Sequence, residues 1–147
     1  MSEFEIVTEY PHPRDRVWRA LTDPALVPRW TSTGQGGRPE GFVPEVGTRF
    51  RFVGKPMPGW DGVVRCEVLA ADAPSLLRFT WRNKETDEPS FVTYRLEDTA
   101  AGTRFTYSHT GFHGVGGLVM SRLLQRVRRR MLAEGLPPVL DDLGAAA

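Results

Sequence analysis

Tyr94, Tyr107 and His109 are the polar side chains that the sequence places on the inward faces of predicted strands. Tyr107 and His109 stand two positions apart, and alternate residues of a strand point to the same side. An imidazole titrates near neutral pH and a phenol donates a hydrogen bond, so these two could polarise a carbonyl group or shuttle a proton. They are our candidate catalytic residues. The alternative is a structural histidine near a strand end, bonded to a backbone carbonyl.

The predicted strands also share an apolar, largely aromatic face. A concave surface lined by such side chains suits an apolar or aromatic small molecule, although the same residues could simply fill a core. One face of a predicted C-terminal helix would complete the lining. The candidate ligand-binding residues are Trp30, Phe50, Phe52, Val64, Phe79, Trp81, Tyr94, Phe105, Tyr107, His109, Met120, Leu124, Val127 and Met131.

Other kinds of site lack support in the sequence. The three histidines, His12, His109 and His113, show no metal-ligand spacing with acids or with Cys66, so we expect no metal. Phosphate-loop, dinucleotide and nucleophile-elbow motifs are missing, and we expect no cofactor. Cys66 alternates with valines and is interpreted as a small buried apolar residue.

An arginine cluster lies in the C-terminal third. Such a run is most often a solvated helix face, and the alternative is contact with an anionic surface or an acidic partner. Its members are Arg122, Arg126, Arg128, Arg129 and Arg130.

Period-two alternation predicts the strands that would carry these side chains. Residues from Thr31 to Pro44 are rich in Gly, Ser, Thr and Pro and indicate a loop. Short, turn-rich links between consecutive strands favour an antiparallel meander with one covered face. The predicted strands are Phe4–Tyr10, Gly47–Val53, Gly62–Ala70, Leu76–Arg82, Phe91–Glu97 and Thr103–Thr110.

Helical spacing appears in two places. After Pro13, the sequence predicts a short helix that buries Trp18, and Asp23 with Pro24 predicts the start of a second. From Val115 onwards, apolar residues recur at helical spacing and predict a long C-terminal helix covering the sheet. Pro137 and Pro138 should bend or break it between about Glu134 and Pro138.

Length and composition set the broad class. A chain of 147 residues with 40% hydrophobic and 25% charged residues predicts one folded domain spanning 1–147. The net charge of +1 argues against a nucleic-acid partner. A single cysteine, an N-terminus unlike a signal peptide and no apolar run of transmembrane length together predict a cytoplasmic protein.

The order and the amino-acid sequences of several segments resemble the START-like SRPBCC superfamily. The resemblance is to the branch related to the activator of the heat-shock chaperone ATPase and to polyketide cyclases. The segments are VWRALTDPALVPRW, PEVGTRFRF, WDGVVRCEVLAADAPSLLRFTW and SFVTYRLEDTAAGTRFTYSHTGF. The resemblance runs from about Phe4 to Leu143 and implies an α+β helix-grip fold: a curved antiparallel sheet wrapped around a long C-terminal helix, with two short helices after the first strand. In the family that helix often begins with GW, where this chain has Leu136 and two prolines.

The resemblance and the aromatic lining together predict a protein that binds a hydrophobic or aromatic small molecule between the sheet and the C-terminal helix. Two alternatives remain open at this point. One is a polyketide cyclase or dehydrase-like enzyme that uses the same cavity, with Tyr107 and His109 as its acid–base groups. The other is a chaperone regulator or similar protein-interaction module. A homodimer is a further partner to test.

Overall fold

A computed structural model describes residues 2–31, 38–56 and 58–146. The strands of this part of the chain are β1 (Ser2–Tyr10), β2 (Arg38–Glu40), β3 (Arg49–Val53), β4 (Val63–Asp72), β5 (Leu76–Trp81), β6 (Ser90–Asp98) and β7 (Thr103–Phe112). Its helices are α1 (Arg14–Thr22), α2 (Val27–Thr31), α3 (Gly114–Arg130), a π-helical segment (Met131–Gly135) and α4 (Leu136–Ala146).

The described strands form one curved antiparallel sheet in the order β1-β7-β6-β5-β4-β3-β2. Strands β2 to β7 follow one another as a meander, and β1 pairs with β7 at one edge. The C-terminal helical region lies over one face, and the two short helices follow β1. This arrangement confirms the helix-grip fold expected from the sequence.

Burial follows the predicted alternation. In β6, Val92, Tyr94 and Leu96 are buried, and Arg95 between them is exposed. Since side chains alternate along a strand, one face of the sheet is apolar and the other carries charge. The core therefore lies between the apolar face and the helices.

The two short helices are close to their expected positions. Pro13 immediately precedes α1, and Trp18 is buried, as predicted. Trp30 donates its indole N–H to the Ala20 carbonyl oxygen at 2.8 Å and so joins α2 to α1. The second helix starts later than predicted, at Val27, because the Asp23 carboxylate accepts the Ala25 N–H and forms a turn first.

The predicted loop Thr31–Pro44 needs a correction. It contains the short strand β2, which pairs with β3 at the sheet edge. Three residues are too few to show a period-two pattern, so alternation could not reveal this strand. Residues 32–37 of the predicted loop lie outside the described residues.

The C-terminal helix is irregular in the turn that precedes its two prolines. The Leu136 N–H bonds to the Met131 carbonyl, five residues back, which marks a π turn. In that pattern Pro137 should donate to the Leu132 carbonyl but has no N–H, and the Tyr10 hydroxyl donates to it instead at 2.7 Å. The prediction of a bend or break is confirmed in part: regular α-helix is interrupted at Met131–Gly135, yet the helical path continues.

None of the helices within the described ranges combines the length and apolarity needed to cross a bilayer.

Candidate functional site

The concave face of the sheet carries a continuous layer of aromatic rings. Ring centroids lie 5.4 Å apart for Phe50 and Phe79, 5.6 Å for Phe79 and Tyr94, and 5.7 Å for Tyr94 and Tyr107. These residues come from β3, β5, β6 and β7, so the layer crosses most of the sheet. Offset and edge-to-face pairs at such distances stabilise one another. We call this surface the aromatic layer.

His109 lies at one end of the aromatic layer and is completely buried. Its ring centroid is 5.4 Å from that of Trp81 and 4.3 Å from that of Phe112. Nε2 is 2.7 Å from Ser90 Oγ, while Nδ1 is buried without a hydrogen-bond partner. Burial first, and then the charge of Arg128, lower the pKa of His109 from 6.5 to about 3. The imidazole is therefore neutral at physiological pH.

Arg128 projects from α3 into the same region and is only 9% exposed. Its guanidinium carbon lies 5.3 Å from the Trp81 ring centroid and 5.7 Å from that of Tyr107. Nη1 contacts Met131 Sδ at 3.2 Å, and Nε has no partner. The ion pairs found among the described residues do not include Arg128. A guanidinium buried without an acid is uncommon, because burial removes its hydration.

This position corrects the expectation that Arg128 belongs to a solvated or anion-contacting surface. Leu124 lies four residues before it and Met131 three residues after it, and side chains at those spacings share one face of a helix. That face points to the sheet. The remaining members of the cluster are exposed: Arg122, Arg126, Arg129 and Arg130.

The other titratable groups of the interior remain neutral. Burial raises the pKa of the Tyr94 and Tyr107 hydroxyls and of the Cys66 thiol, and the positive charge of Arg128 opposes each shift. Cys66 is buried, as its pattern predicted. Arg128 is thus a full charge among neutral groups. No set of three or more His, Cys, Asp or Glu side chains in the described ranges could hold a metal ion.

Most candidate ligand-binding residues line this interior or its opening. Met120 does not: it was expected on the inner helix face, but 39% of it is exposed, because α3 near its start lies largely outside the cover of the sheet. Four candidates are half-buried and mark the open side: Phe52, Trp81, Leu124 and Val127. The others are buried: Trp30, Phe50, Val64, Phe79, Tyr94, Phe105, Tyr107, His109 and Met131.

The interior has little free space. A cavity of about 10 Å³ remains among side chains that include Leu21, Val27, Phe79 and Tyr94. This is near the smallest volume that could hold one water molecule, so a ligand would have to widen the gap between helix and sheet.

A larger groove of about 490 Å³ lies on the charged outer side of β3 and β4. Its arginines and glutamates pair with one another, as in Arg51–Glu40 at 2.9 Å and Arg49–Glu67 at 3.4 Å. Exposed ion pairs of this kind are ordinary surface features. These charged side chains therefore have partners of opposite charge, whereas Arg128 has none among the described residues.

Sequence reasoning missed three residues around His109. Ser90 could have been found, because it alternates with Val92 and Tyr94 on β6. Phe4 and Phe112 flank the imidazole, with Phe4 5.7 Å from it between ring centroids. Near these residues the pairing of β1 with β7 shifts register, which allows Phe112, three positions after His109, to reach the same side. Strict alternation could not reveal that shift.

Comparison with known proteins supports this fold and identifies the family. A crystal structure of protein MLL2253 from Mesorhizobium loti shares 28% identity with a TM-score of 0.81, over 96% of this chain and 98% of that one. CalU16 from Micromonospora echinospora shares 20% identity with a TM-score of 0.63, over 98% and 84%. DynU16, from the dynemicin biosynthetic locus, shares 23% identity with a TM-score of 0.65, over 92% and 48%.

None of the curated proteins matches the chain. The model of one family, described as activator of Hsp90 ATPase homolog 1-like protein, matches residues 11–145. This confirms the SRPBCC branch expected from the sequence. The chain belongs to the family of activator of Hsp90 ATPase homolog 1-like proteins.

Proposed function

We propose that this protein binds an apolar or aromatic small molecule between the aromatic layer and α3. The observation that carries the proposal is the half-buried apolar surface at the open side of the interior. Phe52 and Trp81 from the sheet and Leu124 and Val127 from α3 are all half-buried there. Phe52 continues the aromatic layer, since its ring centroid lies 5.5 Å from that of Phe50. Apolar surface that leads from solvent into an aromatic interior is typical of small-molecule sites.

Entry of a ligand requires α3 to move away from the sheet. The first part of α3 is weakly held by burial: Val115 is 81% exposed, Val119 63% and Leu123 53%. Segments that bury little apolar surface open at low free-energy cost. Family membership supports a ligand-binding domain in general, and the origin of DynU16 in a biosynthetic locus agrees with a small-molecule ligand.

Titration with the neutral fluorescent dye Nile red tests this proposal. The wild type should bind the dye and shift its emission to the blue. Leu124→Gln places an amide at the open side and should weaken binding about tenfold or more, since an unpaired buried amide costs roughly 1–3 kcal/mol. The matched control is Leu123→Gln, one position along the same helix on the exposed side. Loss of dye binding in Leu123→Gln with retention in Leu124→Gln would contradict the proposal.

A second candidate function is a protein-interaction module, such as a chaperone regulator. The exposed apolar residues at the start of α3 favour it, because contiguous exposed apolar surface often marks a contact with another protein. The Leu123→Gln control addresses this alternative directly, since it alters that surface and leaves the interior unchanged.

The enzyme alternative receives less support from the geometry. Tyr107 and His109 lie on one face of β7, as predicted, yet both are buried and neutral. An imidazole with a pKa of about 3 is a weak general base near pH 7. Both groups are better suited to hydrogen bonding a ligand than to removing its protons.

A further inference from the structure

Two buried nitrogens near Trp81 lack hydrogen-bond partners. They are Arg128 Nε and His109 Nδ1, the two orphaned side-chain polar atoms found among the described residues. Both residues contact the same indole: the guanidinium carbon of Arg128 is 5.3 Å from the Trp81 centroid, and the His109 ring is 5.4 Å from it. Orphaned polar atoms are rare in folded proteins, so two beside one side chain require an explanation.

Arg128 Nε can only donate a hydrogen bond, whereas His109 Nδ1 donates in one tautomer of the neutral ring and accepts in the other. Arginine has N–H groups only, so Arg128 Nε is a donor. Ser90 Oγ is 2.7 Å from His109 Nε2 and 3.4 Å from the Trp81 carbonyl oxygen, so its one proton can go to either acceptor. When Ser90 donates to Nε2, the neutral ring carries its own proton on Nδ1, and an anionic acceptor placed beside Nδ1 favours this tautomer. The site thus presents one N–H donor, on Arg128, and a His109 nitrogen that becomes a second donor when an acceptor lies beside it.

The unpaired positive charge of Arg128 is a second argument for a bound acceptor. Arg128 has no carboxylate partner in the described part of the chain, and its neighbours are neutral aromatic, hydroxyl and thiol groups. Contacts with the Trp81 and Tyr107 rings offset part of the lost hydration. They leave the charge itself without a counter-ion.

We propose that the ligand is an aromatic acid whose carboxylate accepts hydrogen bonds from Arg128 and His109 while its ring system packs on the aromatic layer. This inference rests on the proposed function, because it names the class of ligand for the same site. A carboxylate offers two acceptor oxygens and the missing negative charge, and charge-assisted hydrogen bonds to a guanidinium are the stronger kind. Trp81, open to solvent on one side, would contact both the acid group and the ring.

The test compares 2-naphthoate with 2-naphthamide, its neutral analogue of nearly the same size, by isothermal titration calorimetry at neutral pH. The wild type should bind the acid at least about tenfold more tightly than the amide, as expected for a charge-assisted hydrogen bond. Arg128→Met keeps an apolar stem in place of the charge and should remove this preference. The matched control is Arg130→Gln, two residues away on the exposed side of α3, which should retain the preference.

The outcomes separate the two proposals. Equal binding of acid and amide by the wild type would overturn the aromatic-acid inference and leave the proposed function standing. Binding of neither compound would count against both. The wild-type comparison needs no variant, so it decides the matter even where Arg128→Met fails to fold. Equal loss of the preference in Arg130→Gln would show a general charge effect and would also overturn the inference.

Discussion

The two parts of the C-terminal helical region both carry apolar residues at helical spacing but differ in how much of that apolar surface they bury. Within α3 the buried residues are Ser121 and Arg128, both polar. The stretch that follows buries Met131, Leu132, Leu136, Val139 and Leu140. An apolar pattern at helical spacing therefore predicted helix in both parts, but it predicted burial correctly only in the second.

Polar contacts reinforce the difference. The second part is tied to the front of the chain by the Tyr10–Leu132 hydrogen bond and by His12 Nε2, which lies 3.0 Å from Asp141 Oδ1. The described residues show no comparable link to other elements for the start of α3. We infer that the second part holds the fold together, whereas α3 supplies the movable, ligand-facing surface. Arg128 lies where the two parts meet.

Truncation of one leucine in each part should give the largest effect. Leu140→Ala removes a completely buried side chain and should lower the free energy of unfolding by about 2–5 kcal/mol. Leu123→Ala, at a position that is 53% exposed, should change it by only about 0.5 kcal/mol. Urea unfolding followed by circular dichroism measures both. Similar losses in the two variants would show that the start of α3 is also part of the core.

The pH dependence of stability should give the next largest effect, through His109. Folding lowers the pKa of His109 to about 3 from 6.5, so between these pH values the unfolded chain binds a proton that the native chain does not. The free energy of unfolding therefore falls on acidification, by up to about 1.4 kcal/mol per pH unit from this residue. The contribution is fully present above pH 6.5 and is lost as the pH falls towards 3.

Urea unfolding between pH 7.5 and 4.5 checks this sign. His109→Gln cannot titrate, so its stability should fall less steeply with decreasing pH than that of the wild type. His113→Gln, the same substitution at an exposed histidine, is the matched control. Parallel curves for the wild type and His109→Gln would place His109 in a solvated environment, contrary to its burial.

The smallest effect should come from Tyr107→Phe, which separates binding from catalysis in the interior. The change removes one hydroxyl and little volume. Affinity for 2-naphthoate should stay within about tenfold of the wild type, since a neutral hydrogen bond contributes roughly 0.5–1.5 kcal/mol. An enzyme that used this hydroxyl for proton transfer would instead lose about 10²–10⁴-fold in rate while still binding its substrate. Calorimetry on the two proteins gives the binding comparison, and a much larger loss of affinity would contradict a passive role.

The strands and helices were largely predictable because each has apolar residues that recur with a regular period in the sequence. Alternation located β3 to β7 and placed Tyr107 and His109 on one face, and helical spacing located α1 and the C-terminal region. The short strand β2 and the shift between β1 and β7 have no such periodic pattern. These two features depend on pairing partners that are distant in sequence.

The centre of the site was harder to predict. Arg128 stands in a run of arginines, and the high charge of that run predicts that all of its members are exposed to solvent. Its spacing from Leu124 and Met131 was the available signal, but period alone does not show which apolar face of α3 meets the sheet. The neighbouring π turn is a further case, since Pro137 and Pro138 predicted an interruption without indicating that Tyr10 would supply the missing donor.

The position of β1 beside β7 affects how the chain folds during synthesis. Ser2–Tyr10 leaves the ribosome roughly a hundred residues before its partner Thr103–Phe112, an interval of about 5–20 s at ordinary elongation rates. Until then β1 has no neighbouring strand of its own sheet, and the Tyr10 hydroxyl must wait longer still for Leu132. Strands β2 to β6 can pair in sequence as they emerge. A nascent chain therefore carries β1 without its partner strand until β7 has been made, and the Tyr10–Leu132 hydrogen bond can form only after that.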